Sequence, residues 1–254
     1  MTLRRIFLTP ENLCREGVSF PPKTAHYLRK VLRLKPGDFV EVFAGEQQCL
    51  IRLAASARGE LRGEIIESKV AELCAAGELV LAFSCVRPGP VEQILRHGTE
   101  LGVSRFVPLL PVRAHRRPAE VKQRWQSIVA AASAQSQRAH MPVLSPPLNF
   151  DDFIQKEPAP ASKILLSTEY GAEPLLAFLE KNSPCDITIL VGPEGGLSDE
   201  EKAKAIEAGF CPVSLGTGIL RTETAAVVAA AAVGMWRHWS DSRFEGIDAS
   251  PPPP

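Results

Sequence analysis

At 254 residues, with 45% hydrophobic and 23% charged side chains, the chain has the composition of an ordinary soluble globular protein and room for one large domain or two with separate cores. Its balance of 29 Lys and Arg against 29 Asp and Glu hides an asymmetry: 12 basic against 9 acidic in residues 1–75, 9 against 3 in residues 87–140, and 8 against 16 in residues 141–254. Such a chain suits a polyanion on its basic part and a cationic or neutral ligand on its acidic part, and solvated charge is the plainer account of any single cluster.

From the N-terminus to about residue 74 the signals are those of strands. Ile6-Phe7-Leu8 follows Arg4-Arg5, residues 39–43 alternate around Glu41, and residues 49–53 and 61–66 follow glycine-containing turns. A short helix is predicted over residues 23–32, with Leu28, Val31 and Leu32 inward and Arg29, Lys30 and Arg33 outward. Leu34-Lys35-Pro36-Gly37-Asp38 then predicts a sharp turn. A small β-barrel domain over residues 1–74 is the expectation. Its basic helix is either an RNA-contacting face or a solvated one, and His26 and Tyr27 either stack on a base or pack inside.

Residues 70–78, with Ala75-Ala76-Gly77, read as a linker. Beyond it strands (residues 79–86, 105–110 and 164–167) alternate with helices (91–101, 118–138 and 174–181), which predicts a mostly parallel sheet covered on both faces. The most basic stretch, Arg113-Ala114-His115-Arg116-Arg117 with Lys122 and Arg124, follows a strand end. It is either a surface loop or a set of phosphate contacts that position RNA without reading its sequence.

The final part carries the chemistry. A strand over residues 187–191 runs into Gly192-Pro193-Glu194-Gly195-Gly196, then into a helix capped by Ser198 with Glu201 closing a capping box. A second strand, residues 212–215, runs into Gly216-Thr217-Gly218-Ile219-Leu220-Arg221, then into a long Ala/Val helix over residues 222–239. In an open α/β sheet, the strand ends that carry such loops are where ligands bind. Neither loop has the phosphate-cradling G-x-x-x-x-G-K-[ST] pattern, and Glu194 would repel a phosphate, so a cationic or amine- and hydroxyl-bearing ligand suits it better. Gly195 and Gly196 alone serve a tight turn equally well. The tail, residues 240–254, has little apolar content, ends in four prolines and is expected to be disordered. Six dispersed cysteines without C-x-x-C or zinc spacing read as reduced, with no metal expected; no apolar run is long enough for a membrane span, and no signal peptide is evident, so a cytoplasmic protein is the expectation.

LVGPEGGLSDEE and LGTGILRTETAA resemble the two signature segments of the SPOUT superfamily of RNA methyltransferases, and most of all the RsmE family, which methylates N3 of a uridine in 16S ribosomal RNA. HYLRKVLRLKPGD, TELGV and RWQSIVAAASAQSQR fall where that family has similar segments, so the resemblance spans nearly all of the chain except its tail. It implies a PUA-like RNA-binding β-barrel over residues 1–74 and an α/β methyltransferase domain over residues 75–239 with a parallel sheet and a deep trefoil knot. It also implies S-adenosylmethionine as methyl donor, 16S ribosomal RNA or the small ribosomal subunit as partner, and a homodimer.

On that resemblance the cofactor site falls to Leu166, Val191, Gly192, Glu194 and Gly196, with Leu215, Gly216, Ile219, Leu220 and Thr224 from the second loop and helix. Leu215, Gly216, Ile219 and Leu220 suit an apolar adenine slot with backbone donors and acceptors. Gly192 permits close backbone approach, and Glu194 either bonds ribose hydroxyls or balances a sulfonium charge. Thr224 is either a ligand contact or a cap. RNA contacts fall to Arg4, Arg5, Arg29, Lys30, Arg33, Arg113, Arg116 and Arg117.

Methylating uridine N3 requires loss of its proton. The catalytic candidates are Arg221, Glu194 and Arg138: the two arginines suit anion stabilisation, whereas Glu194 or Glu223 is a conceivable base. Glu223 is equally a helix N-terminal charge. The chain departs from the family at Ala134 and Gln137, where Glu and Gly are usual, and at Arg96 or His97, where a Lys often lies. Two alternatives stand beside this reading: another SPOUT enzyme acting on a ribose 2′-hydroxyl or a tRNA, and a non-catalytic RNA-binding or ribosome-assembly protein.

Overall fold

The computed structural model describes residues 3–14, 17–45, 47–55, 61–70, 77–85, 87–110, 121–138, 140–156, 162–169, 171–182 and 186–245, and the chain divides into two units. The first comprises Met1–Cys74 and Ala130–Met141; the second comprises Ala75–Val129 and Pro142–Pro254. The segment Ala130–Met141, which the sequence pattern groups with the second domain, thus clusters with the first.

In the first unit, strands β1 (Arg4–Leu8), β2 (Leu13–Cys14) and β3 (Gly17–Ser19) precede a short helix α1 (Pro22–His26), and β4 (Phe39–Ala44), β5 (Gln47–Ala55) and β6 (Leu61–Val70) follow. They form one sheet in the order β1-β4-β5-β6-β3-β2; among the described pairs β1–β4 is parallel and the rest are antiparallel. Strand periodicity places Val40 and Val42 of β4 and Cys49, Ile51 and Leu53 of β5 inside, where they meet Ile6, Val18, Phe20 and Leu28. Burying each large member of such a cluster stabilises by about 1.5–3 kcal/mol.

The helix expected over residues 23–32 changes character halfway. After α1 the backbone widens into a π-turn, Tyr27–Val31, in which the Leu32 amide reaches the Tyr27 carbonyl at 3.0 Å. The extra residue per turn rotates Val31 off the inward stripe that a 3.6-residue period assumes. Leu28 is fully buried, but Val31 is 61% exposed. Arg33 ends the turn in the left-handed region at φ 55°.

The second unit begins with β7 (Leu79–Ser84), α2 (Pro88–Glu100), β8 (Arg105–Leu110) and α3 (Gln123–Gln135), whose last residues belong to Ala130–Met141. Two short strands β9 (Val143–Leu144) and β10 (Leu148–Asn149) lead to α4 (Phe150–Lys156), then β11 (Ser162–Leu166), β12 (Glu173–Pro174) and α5 (Leu175–Asn182). The remainder is β13 (Ile187–Val191), α6 (Asp199–Glu207), β14 (Phe210–Ser214) and α7 (Thr222–Glu245). The strands run in the order β10-β8-β7-β13-β11-β14-β12, with β9 beside β8, and every described pair is parallel.

Every residue of β7 and β13 is buried, as expected for central strands covered on both faces. Leu79, Leu81, Phe83, Ile187, Ile189 and Val191 pack on one face with Ile94 and Leu95 of α2 and Ala226, Ala229 and Val233 of α7. Val80, Ala82 and Leu190 pack on the other with Phe153 of α4, Ala205 of α6 and Phe210. Helix α7 continues to Glu245, six residues into the stretch expected as disordered tail; residues 246–254 lie outside the described residues. Among the described residues no helix is long and apolar enough to cross a membrane.

Candidate functional site

Strands β13 and β14, which carry the two glycine loops, are consecutive in sequence but not adjacent in the sheet: β11 lies between them. The two loops therefore converge over the end of β11 and enclose a cavity of about 330 Å³. Leu166, Ser167, Thr168 and Glu169 form its floor and one wall. Val191 through Leu197 supply the first loop, and Leu215, Gly216, Gly218, Ile219 and Leu220 the second. Leu165 and Pro212, Lys202 and Ile206 of α6, and Thr222 and Ala225 of α7 also line it.

Local chemistry shapes the first loop. Ser198 caps α6 by accepting from the Glu201 amide at 3.1 Å, while the Glu201 carboxylate accepts from the Ser198 amide at 2.8 Å. Gly196 turns the chain into that cap at φ 75°, its amide bonded to the Pro193 carbonyl at 2.8 Å. A Cβ added at Gly192 would meet Leu197 Cγ at 3.2 Å, so this glycine serves the loop's own closure on Leu197. At Gly195 and Gly218, by contrast, an added Cβ would meet nothing within 4 Å. Their missing side chains leave open space in the cavity wall and relieve no clash within the chain.

The loops are joined. The Thr222 hydroxyl, on a residue only 6% exposed, donates to the Gly192 carbonyl at 3.0 Å. Thr224, the sequence candidate, is exposed and is not among the lining residues; Thr222 lies two residues earlier at the helix start. The other cofactor candidates, Leu166, Val191, Gly192, Glu194, Gly196, Leu215, Gly216, Ile219 and Leu220, all line the cavity.

Two carboxylates stand in the wall, each held by a cation. Glu194 is ion-paired with Arg87 at the start of α2, and Glu169 with Lys202 at 2.7 Å. The hydrogen bond that the Lys202 ammonium donates to the Glu169 carboxylate pushes the Lys202 pKa above its usual value. Sequence reading missed Arg87, Ser167, Thr168, Glu169 and Lys202. Residues 167–169 carry no glycine between the end of β11 and the wall they form, and nothing local links Arg87 to a partner 107 residues away.

Two of the three catalytic candidates, Glu194 and Arg221, belong to the second unit. Glu194 is in the cavity wall; Arg221 is exposed between the lining residues Leu220 and Thr222 without itself lining the cavity. Arg138 belongs to the Ala130–Met141 segment of the first unit. Glu223 has one carboxylate oxygen, Oε2, buried without a hydrogen-bond partner.

Among the RNA candidates, Arg4, Arg29, Lys30 and Arg33 are exposed. Arg5 is engaged within its own unit: it pairs with Glu41 at 2.7 Å, bonds the Gln137 carbonyl and lies over the Phe43 ring at 5.1 Å. Arg113, Arg116 and Arg117 lie outside the described residues. Nearby, Arg124 grips Glu92 with both ends of its fork, and Lys122 sits over the Trp125 ring at 5.1 Å.

Residues 74–234 match the model of an RNA methyltransferase domain, and residues 20–54 that of an RNA methyltransferase PUA domain. The chain is 36% identical over 235 residues to Ribosomal RNA small subunit methyltransferase E of Synechocystis, covering 90% of this chain and 76% of that protein. It is 29% identical to the protein of the same name from Rickettsia conorii, over 82% of this chain and 85% of that one. Among solved structures it is similar to a Ribosomal RNA small subunit methyltransferase E from Neisseria gonorrhoeae bound to S-adenosyl methionine. That match has a TM-score of 0.80 and 31% identity, over 92% of this chain and 98% of that one.

Proposed function

The chain belongs to the family of Ribosomal RNA small subunit methyltransferase E, and we propose that it transfers a methyl group from S-adenosylmethionine to N3 of a uridine in 16S ribosomal RNA. It is an RNA methyltransferase with an N-terminal PUA-like β domain. The observation that carries the reading is the cavity between the two glycine loops. Its volume of about 330 Å³ lies within the range of small-molecule sites. Its wall combines apolar side chains (Leu166, Val191, Leu215, Leu220) for a purine with carboxylates suited to hydroxyls and positive charge. S-adenosylmethionine held there would supply a methyl group from its sulfonium centre, the sulfur retaining the bonding electron pair as a thioether.

The chain's own residues have three tasks. The loops hold the donor between the ends of β13 and β14. Arg221, cationic at any relevant pH, favours the uridinate anion, a role in which Arg138 is the second candidate. A carboxylate, Glu194 or Glu223, is the candidate to take the N3 proton as the new nitrogen–carbon bond forms. The basic residues Arg4, Arg29, Lys30 and Arg33 of the PUA-like domain, with Arg113, Arg116 and Arg117, contact phosphates. The domain limits of the reading are residues 1–74 for RNA binding and 75–239 for methyl transfer, the latter with the trefoil knot of the SPOUT superfamily. The reading includes a cytoplasmic location.

The reading includes a homodimer. Val228, Met235 and Trp239 are 40%, 73% and 44% exposed on α7. Their i, i+7, i+11 spacing puts them on one face, and Ile219, 85% exposed, precedes the helix in the second loop. An apolar stripe beginning beside the cavity suits a second copy that completes the site.

Titration calorimetry tests the cavity assignment. S-adenosylmethionine should bind the wild-type chain, and Gly218→Val, which fills open space without a clash inside the chain, should weaken binding about tenfold or more with the melting temperature unchanged. A folded Gly218→Val protein with wild-type affinity would place the donor elsewhere.

A further inference from the structure

Glu194 is the carboxylate of the first glycine loop, and it does not stand alone: Arg87, at the start of the helix that follows β7, pairs with it. The pairing crosses between neighbouring strand ends, since β7 and β13 are adjacent in the sheet. Glu194 lines the cavity and its side chain is 38% exposed; Arg87 does not line it and is 65% exposed. The negative member of the pair thus lines the cavity, while the positive member does not and is the more exposed of the two.

Resting on the reading of the cavity as a donor site, we propose that this pair sets how strongly the chain distinguishes S-adenosylmethionine from S-adenosylhomocysteine, with Arg87 as a positioning residue that acts through Glu194 and moderates its field. The two ligands differ by one methyl group and one positive charge on sulfur. A carboxylate in the wall favours the cation, and a guanidinium beside the carboxylate opposes that preference. A bare Glu194 would hold the donor more tightly than the paired one. Paired, it leaves a smaller difference between the ligand that must enter and the ligand that must leave.

This arrangement makes a prediction of sign that a merely structural pair does not share. Affinities of both ligands are measured by calorimetry at low salt for the wild-type chain, Arg87→Met, Glu194→Gln and the double variant. Arg87→Met should raise the preference for S-adenosylmethionine about threefold, the effect of removing one unit charge near another in water-like surroundings. Glu194→Gln should lower the preference by a similar or larger factor, about three- to tenfold, because Glu194 is the nearer charge. The double variant should match Glu194→Gln, since Arg87 acts through Glu194, and Arg87→Lys should keep the wild-type ratio. Raising the salt concentration should shrink all the differences.

If the two single variants move the ratio in the same direction, or if neither moves it at low salt, the pair only braces the loop and the proposal is overturned. If the wild-type chain binds neither ligand, the cavity assignment itself fails and takes this proposal with it. The two failures are therefore told apart by the wild-type titration.

Discussion

The Thr222 hydroxyl donates to the Gly192 carbonyl across 3.0 Å, so the first turn of the last helix is tied to the loop that follows β13. Thr222 is buried, and without this bond a carbonyl at the cavity wall would lose its partner. One hydrogen bond thus holds together the two halves of a site whose loops leave different strands.

Removing that bond should loosen the donor site. Thr222→Val keeps the side-chain shape and should cost about 1 kcal/mol of stability. If the loops must be joined to bind, donor affinity should fall about fivefold as well. Thr222→Ser should restore most of both. Thermal melts and calorimetry on the same samples separate the effects, and a Thr222→Val protein with wild-type affinity would show that the loops hold the donor independently.

The exposed stripe on α7 predicts self-association. Sedimentation at micromolar concentration should give the mass of two chains, and Met235→Glu, which puts a charge on the most exposed apolar side chain of that face, should give one. Methyl transfer should fall with dimer content if the partner completes the site. A wild-type chain that sediments as a monomer would refute this part of the reading.

RNA binding should depend on the basic groups through charge. Replacing Arg29, Lys30 and Arg33 together with Arg113, Arg116 and Arg117 by Ala should weaken affinity across RNA sequences and flatten its dependence on salt, by a slope of roughly 0.7 per lost single-strand phosphate contact. Affinity for S-adenosylmethionine should be unchanged. Arg221→Ala should instead lower the single-turnover methylation rate more than RNA affinity, as expected of a group that acts in the transition state. An unaltered salt slope in the grouped variant would reduce the basic stripe to a solvated face.

Where the chain's periodicity is local and long enough, the fold is legible from sequence. Arg105–Leu110 and Ile187–Val191 are strands over the very residues whose apolar runs suggest them, and the Ser198–Glu201 capping box is present. Strands of two or three residues, such as Leu13–Cys14, Val143–Leu144 and Glu173–Pro174, are too short to carry a period. A 3.6-residue period places Val31 inward, but the wider turn at Tyr27–Val31 leaves it exposed.

The site divides the same way. Its glycine loops announce themselves, since punctuation after an apolar strand is a local pattern. The placement of β11 between β13 and β14 is not local, and so neither is the contribution of Ser167, Thr168 and Glu169 to the cavity. Arg87 and Lys202 escape for the same reason: their carboxylate partners lie 107 and 33 residues away. Thr222 and Thr224 both fall near a helix start in the sequence; burial, cavity lining and the bond to Gly192 separate them in the structure.

The central claim is that this chain methylates the base of a uridine in 16S ribosomal RNA. The most direct measurement is mass mapping of 16S RNA from cells lacking the protein, before and after small subunits from those cells are incubated with the purified chain and S-adenosylmethionine. One uridine should start unmethylated and gain a single methyl group on N3 of its base, with transfer RNA unchanged. A methyl group on a ribose 2′-hydroxyl, a methylated transfer RNA, or a protein that binds the donor yet modifies no RNA would contradict the account.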